Sequence, residues 1–255
     1  MGDNTKIEWA DATVNFWHGC KKVSQGCKYC YMFRDKTRYN QDPTEVVRAA
    51  NATFYKALKW EEPRRIFTCS WSDFFIKDAD AWRADAWEVI RKTPQHTWLI
   101  LTKRPDRILQ CLPPDWGKGG YKNVWLGVSI ESEKNLHRIM ELFEVPCQLR
   151  FLSVEPLLGP VALAPYLTLH LPDRSVVNPI GWVIIGGESG NETGDWLYRT
   201  AKKEWFTEII GKCKQHGVPV FMKQLGTGLA KELKIKDRIG ADFTDPRMPA
   251  NFKIR

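Results

Sequence analysis

The sequence has no apolar run near the ~18 residues that a membrane-crossing helix needs, so no span is expected. Its opening residues, MGDNTKIEWADATVNFW, hold no basic stretch leading into an apolar one. A secretion signal is therefore not expected, and a cytoplasmic place is. No low-complexity tract, internal repeat or flexible linker interrupts it, which argues against disorder and against a solenoid. No second cysteine pair completes a zinc ribbon, and an odd count of seven cysteines speaks against a disulfide framework.

What is present is core-forming material. The chain has 255 residues, of which 43% are hydrophobic and 12% aromatic, enough to bury a sizeable core. A single domain over 1–255 is expected. Lys and Arg outnumber Asp and Glu by 38 to 30, a net charge of +8. That balance permits a polyanionic partner such as nucleic acid without requiring one.

Short β-rich runs alternate with helical patterns. The expected strands are Ala12–Trp17, Arg65–Ser70, His96–Thr102, Asn123–Ile130, Gln148–Val154, Gly181–Gly187 and Val218–Lys223. WLILT and WVIIGG are apolar on both faces, as parallel strands covered by helices are. Asp78 is placed to cap a helix running to Arg91. Ser132 is placed to cap another, with Leu136, Ile139, Met140 and Phe143 on its apolar face. Thr200 is placed to cap a third, which Gly217 ends. The segment 155–180 carries Pro156, Pro160, Pro165, Pro172 and Pro179 and reads as a proline-rich loop insertion with a short helix at most. Repeated βα steps predict an α/β fold, a partial (βα) barrel of mostly parallel strands, with a doubly wound sheet as the competing topology. In such a barrel the chemistry gathers at the carboxyl ends of the strands.

The first of those ends carries Cys20, Cys27 and Cys30, spaced C-x6-C-x2-C. Three thiolates so close suit zinc or an iron–sulfur cluster, both of which prefer soft sulfur. A closed zinc site needs a fourth ligand, for which His18 and Cys69 are the candidates. Three cysteines on a 4Fe-4S cluster leave one iron open to a small molecule.

Cys27-Lys28-Tyr29-Cys30 resembles the second half of the radical S-adenosylmethionine motif, C-x3-C-x-aromatic-C, although the first spacing here is six. A fuller resemblance runs through TKIEWADATVNFWHGCKKVSQGCKYCY, FTCSWSDFF, LTKRPDRI, NVWLGVSIES, RFLSVEPLLGPV, WVIIGGESG and VPVFMKQLG. In this ordered series the chain is similar to the phage-associated three-cysteine-motif family, a phage Gp-type family whose reaction is undefined. LTKRPDRI and LSVEPLLGPV also resemble the spore photoproduct lyase branch of radical S-adenosylmethionine proteins. The resemblance implies a radical S-adenosylmethionine enzyme with a 4Fe-4S cluster on Cys20, Cys27 and Cys30. It implies a 5′-deoxyadenosyl radical, an electron donor such as flavodoxin or ferredoxin, and a dedicated partner protein encoded nearby. Nucleic acid is the expected substrate, through lesion repair or base modification. The alternatives are a protein or small metabolite as substrate, or a zinc-stabilised, non-catalytic DNA-binding module.

Further roles follow from the same resemblance. Lys103 or Arg104 supplies the cation for the S-adenosylmethionine carboxylate, or else both lie on the surface or bind substrate phosphate. Ser129 and Glu131 end the fourth strand, where the superfamily places polar groups against the ribose or methionine; Glu131 equally suits a helix start. Gly186-Gly187-Glu188 is similar to the superfamily's GGE segment but follows the sixth strand instead of the second, so its ammonium role is not carried over. Its glycines would allow close approach to adenine or substrate, with Glu188 facing the pocket. Ser70 and Asp73, in the second-strand position, are expected to take the ammonium. Cys69 is either a hydrogen-atom donor or a buried structural thiol. Glu155 either binds substrate, acts as a base or anchors the proline-rich loop. Trp17 and Trp71 are expected near the cluster.

Overall fold

Runs such as RIFT, TWLILT and WVIIG have few conformations open to them other than extended chain packed on both faces. The computed structural model describes residues 5–170, 172 and 176–242. It contains all seven expected strands: β1 Ala12–Val14, β2 Arg65–Thr68, β3 Thr97–Thr102, β4 Val124–Ser129, β5 Leu149–Val154, β6 Trp182–Gly186 and β7 Val220–Gln224. An eighth, β8 Arg238–Asp242, was not expected, because RIGAD offers neither an apolar run nor alternation. It pairs antiparallel with β7, so backbone bonding alone makes it a strand.

Two compact units divide the chain, Met1–Val128 with Glu141–Leu149 and Ser129–Met140 with Arg150–Arg255. In the first, β1, β2, β3 and β4 pair in chain order, all parallel, in registers such as Ile66 with Trp98. In the second, β5, β6 and β7 are parallel in chain order and β8 closes the edge. The fold is the expected one, α/β with mostly parallel strands, of the partial (βα)-barrel class.

Aromatics fill the first core. Phe16 stacks on Trp98 at 5.6 Å, and Phe74 meets Trp87 edge-on at 4.8 Å. The second core rests on Leu152, Ile184 and Ile185 from the strands and on Phe206, Ile209 and Ile210 from a helix. Among the described residues no helix is long and apolar enough to cross a membrane.

The longer helices among the described residues are α1 Tyr31–Arg38, α2 Asp80–Arg91, α3 His137–Phe143, α4 Lys203–Gln215 and α5 Thr227–Leu233. Three expected caps are corrected. A 3-10 turn, Lys77–Ala79, precedes α2, so Asp78 sits one residue outside the cap and pairs with Lys21 at 2.5 Å. Ser132 opens a 3-10 turn instead of an α-helix and makes no side-chain cap bond. Lys202, not Thr200, is the cap of α4; Thr200 fills the space left by the missing side chain of Gly228. On α3 Met140 is 54% exposed while Leu142 is buried, which corrects the expected apolar face. The described part of 155–180 carries one short helix, Ala164–Leu167, and an antiparallel pair of two-residue strands, Leu169–His170 with Val176–Val177, which was not expected; it buries Leu157, Val161, Leu163 and Leu167.

Candidate functional site

After β1 the chain turns inward through Asn15, Phe16 and Trp17, all buried, and Trp17–His18 pairs briefly with Val47–Arg48. Gly19 follows with φ +91°, and a Cβ there would lie 1.9 Å from the Glu45 carbonyl oxygen, so only glycine fits. Its amide donates to the Trp71 carbonyl at 3.0 Å, its carbonyl accepts the Ser72 hydroxyl at 2.6 Å, and the Cys20 amide donates to Pro43 at 2.9 Å. Behind this loop the ammonium of Lys36, only 2% exposed, donates to the Asp42 and Glu45 carbonyls at 3.2 and 3.4 Å. Cys20 is thereby fixed between two backbone segments. A 3-10 turn, Gln25–Cys27, takes up the long first spacing, and Cys30 is the N-cap of α1.

All three thiols are free of disulfides. Burial pushes Cys20 up to about 12; Asp73 adds to the rise and Arg104 opposes it. Burial also raises Cys30, against the amides of Met32 and Phe33 at the start of α1 and the charge of Lys103. Cys27 adds to the rise of both, so its sulfur lies close enough to act on each. Without metal Cys20 and Cys30 keep their protons, and a bound metal displaces them. Among the described residues no three His, Cys, Asp or Glu side chains gather around one metal ion. His18 is half-buried with Nδ1 lacking a hydrogen-bond partner, and burial and Lys36 lower its pKa.

The turn after β2 meets the end of β3 beside this loop. Asp73, 5% exposed, accepts the Phe75 amide at 2.9 Å, the Thr102 hydroxyl at 2.7 Å and the Lys103 amide at 2.9 Å. Its Oδ2 also pairs with Arg104 Nη1 at 3.1 Å. Arg104 Nη2 donates to the Lys21 carbonyl at 2.6 Å, and Nη1 lies 3.8 Å from Cys20 Sγ. Ser70 donates to buried Asn15 at 3.2 Å, and its carbonyl accepts the Tyr31 hydroxyl. Trp17 donates its indole N–H to the Asp73 carbonyl at 3.1 Å, and Trp71 donates its amide to Asn15 at 3.1 Å. Cys69 has φ +57° directly after β2; it is 3% exposed, and burial pushes its thiol up to about 12.

In the second unit the strand ends are equally polar but engaged with one another. Arg138, 4% exposed, donates to the Ser129 carbonyl at 2.7 Å and pairs at 3.2 Å with Glu131, which is 1% exposed. Glu155 takes the Ser153 hydroxyl at 3.1 Å and the Lys223 ammonium at 2.8 Å. Gly186 leaves room for that carboxylate, since a Cβ would sit 2.5 Å from its Oε1. Gly187 leaves room for the Leu225 carbonyl, 2.0 Å from its own would-be Cβ. Glu188 is gripped by Arg199 through Nε at 2.8 Å, Nη2 at 2.5 Å and the backbone amide at 2.9 Å. The close approaches at both glycines are thus to the protein's own groups.

The structure brings Asp73 and Arg104 together beside Cys20, while Lys103 has its amide on Asp73 and its charge acting on Cys30. Sequence reasoning missed Asn15, Lys36, Thr102, Arg138 and Arg199 as the residues that hold the others in place. Thr102 was visible only as a polar strand end, and a buried Lys or Arg has no sequence signal at all. A cavity of about 460 Å³ in the first unit, lined by Asp80, Trp87, Arg91, Arg107 and Cys111 among others, contains none of the expected site residues.

The family described as Protein of unknown function (DUF5131) matches residues 4–246, a span that contains all seven sequence blocks. No curated protein matches the chain. A solved structure of spore photoproduct lyase, in a cysteine-to-serine mutant, is similar over 91% of this chain at 14% identity and a TM-score of 0.49. The chain spans 62% of that protein's length.

Proposed function

The chain belongs to the family described as Protein of unknown function (DUF5131), and we propose that it is a radical S-adenosylmethionine enzyme holding one 4Fe-4S cluster through Cys20, Cys27 and Cys30. The observation that carries this reading is the loop of three free thiols after β1, with helix amides aimed at Cys30 and a guanidinium at Cys20. These residues fit the group: soft donors, no bridging disulfide, and positive dipoles and charge to meet an anionic centre. A cluster presents separate irons to its ligands, so its thiolates have no need to converge on one point. With S-adenosylmethionine bound, such a cluster supplies a 5′-deoxyadenosyl radical.

The remaining roles are assigned on the chain's own contacts. Lys103 has its amide fixed by Asp73 and its charge felt at Cys30, which makes it the cation for the S-adenosylmethionine carboxylate. Asp73 and Ser70 act on the protein side, holding this strand end in place. Cys69, protonated at neutral pH, keeps the S–H bond that a hydrogen-atom donor needs. Glu155 is held by Lys223 in a charged pair within the second unit. Nucleic acid is the proposed substrate, on the +8 charge and the sequence blocks.

Anaerobic reconstitution with iron and sulfide tests the reading. The expected result is a brown chromophore in the wild type, lost in Cys27→Ala and Cys30→Ala, and release of 5′-deoxyadenosine after reduction with S-adenosylmethionine. A colourless protein that takes up one zinc instead would establish the metal-stabilised module.

A further inference from the structure

Arg104 is a residue with two conceivable employers, a ligand carboxylate or the protein itself, and its contacts decide between them. The side chain is 11% exposed and held at three points: Asp73 Oδ2 at 3.1 Å, the Lys21 carbonyl at 2.6 Å, and Cys20 Sγ at 3.8 Å. Asp73 is itself immobilised, because its carboxylate also accepts the Phe75 and Lys103 amides and the Thr102 hydroxyl. The guanidinium is therefore a preset donor toward one sulfur of the loop. A lysine could not fork to three partners lying in different directions.

We infer that Arg104 is a positioning residue that tunes the metal centre, its N–H on Cys20 Sγ and its fixed charge raising the reduction potential of the cluster. The inference rests on the cluster reading above and assigns Arg104 away from the S-adenosylmethionine carboxylate. The physics is direct. One-electron reduction adds a negative charge to a group already made anionic by its thiolates. A hydrogen bond to a ligating sulfur and a nearby cation both favour the more negative state. Asp73 works in the opposite sense on Cys20, since a carboxylate near the sulfur disfavours added negative charge. Burial of both partners keeps the contest from being screened by solvent.

The test is an anaerobic titration with dithionite as the electron donor, followed by electron paramagnetic resonance of the reduced cluster. It uses wild type, Arg104→Met and Arg104→Lys. The midpoint potential is expected to fall in Arg104→Met and to lie between in Arg104→Lys, with the iron content of all three unchanged. Equal midpoint potentials in whichever variant loads a cluster would overturn the inference. So would loss of loading by both variants while circular dichroism stays native, because Arg104 would then serve assembly and not potential. A wild type that forms no cluster overturns the function reading instead, so the two failures are told apart.

Discussion

Single residues in this chain differ most in what surrounds their polar atom. Cys213, on α4, has no exposed surface, and burial pushes its thiol from 9.0 up to about 12. The folded pKa is raised above the unfolded one, so the stabilisation is fully present below pH 9 and is lost as pH rises toward 12. Cys213→Ala is expected to cost about 1–2 kcal/mol at pH 8, from the vacated space. At pH 10 the gap to wild type should narrow by roughly 1 kcal/mol, because only the wild type loses the protonation contribution. Urea unfolding at the two pH values measures both, and an unchanged gap would mean the thiol titrates normally. Sequence made the three-cysteine loop legible through spacing alone. It could not separate the duties of Asp73 and Arg104. Partners of Asp73 come from the end of β3, 29 to 31 positions beyond it, and are brought in by the parallel pairing of β2 with β3. Those of Arg104 include the distant Lys21 and Cys20.

At the scale of elements, the strands were legible because each is an apolar run with a polar stop, and their observed ends fall within a few residues of the expected ones. Helix starts were not. Asp78, Ser132 and Thr200 are the right residue types for caps, but a 3-10 turn or a tertiary contact claims each one. The face of α3 was misread for a related reason: Arg138 is buried on it, drawn in by Glu131, while Met140 points outward. That ion pair makes a sharp prediction. Glu131→Gln leaves a buried guanidinium short of its counter-charge and is expected to cost about 3–5 kcal/mol. The double variant Glu131→Gln with Arg138→Met should recover much of this, which thermal unfolding of the three proteins reads out. A single variant as stable as wild type would show that the pair contributes little.

For the molecule as a whole, the charge of +8 remains the property that most directly bears on the substrate. If phosphates are engaged, the affinity for a fluorescent single-stranded or duplex DNA should fall steeply between 50 and 200 mM salt, about 10³-fold for six contacts. A flat salt profile, or no binding by anisotropy, would move the substrate to a small metabolite or protein. Within its sheet, β8 was not visible in the sequence and pairs only antiparallel. β8 covers the outer backbone of β7, whose Val220, Phe221 and Met222 are buried, the first two being strongly β-forming. Shorten the chain before Arg238 and that backbone becomes an open template of unpaired amides and carbonyls, apolar enough to recruit copies of itself. The plainest sequence in the fold, RIGAD, therefore acts as a guard against self-association.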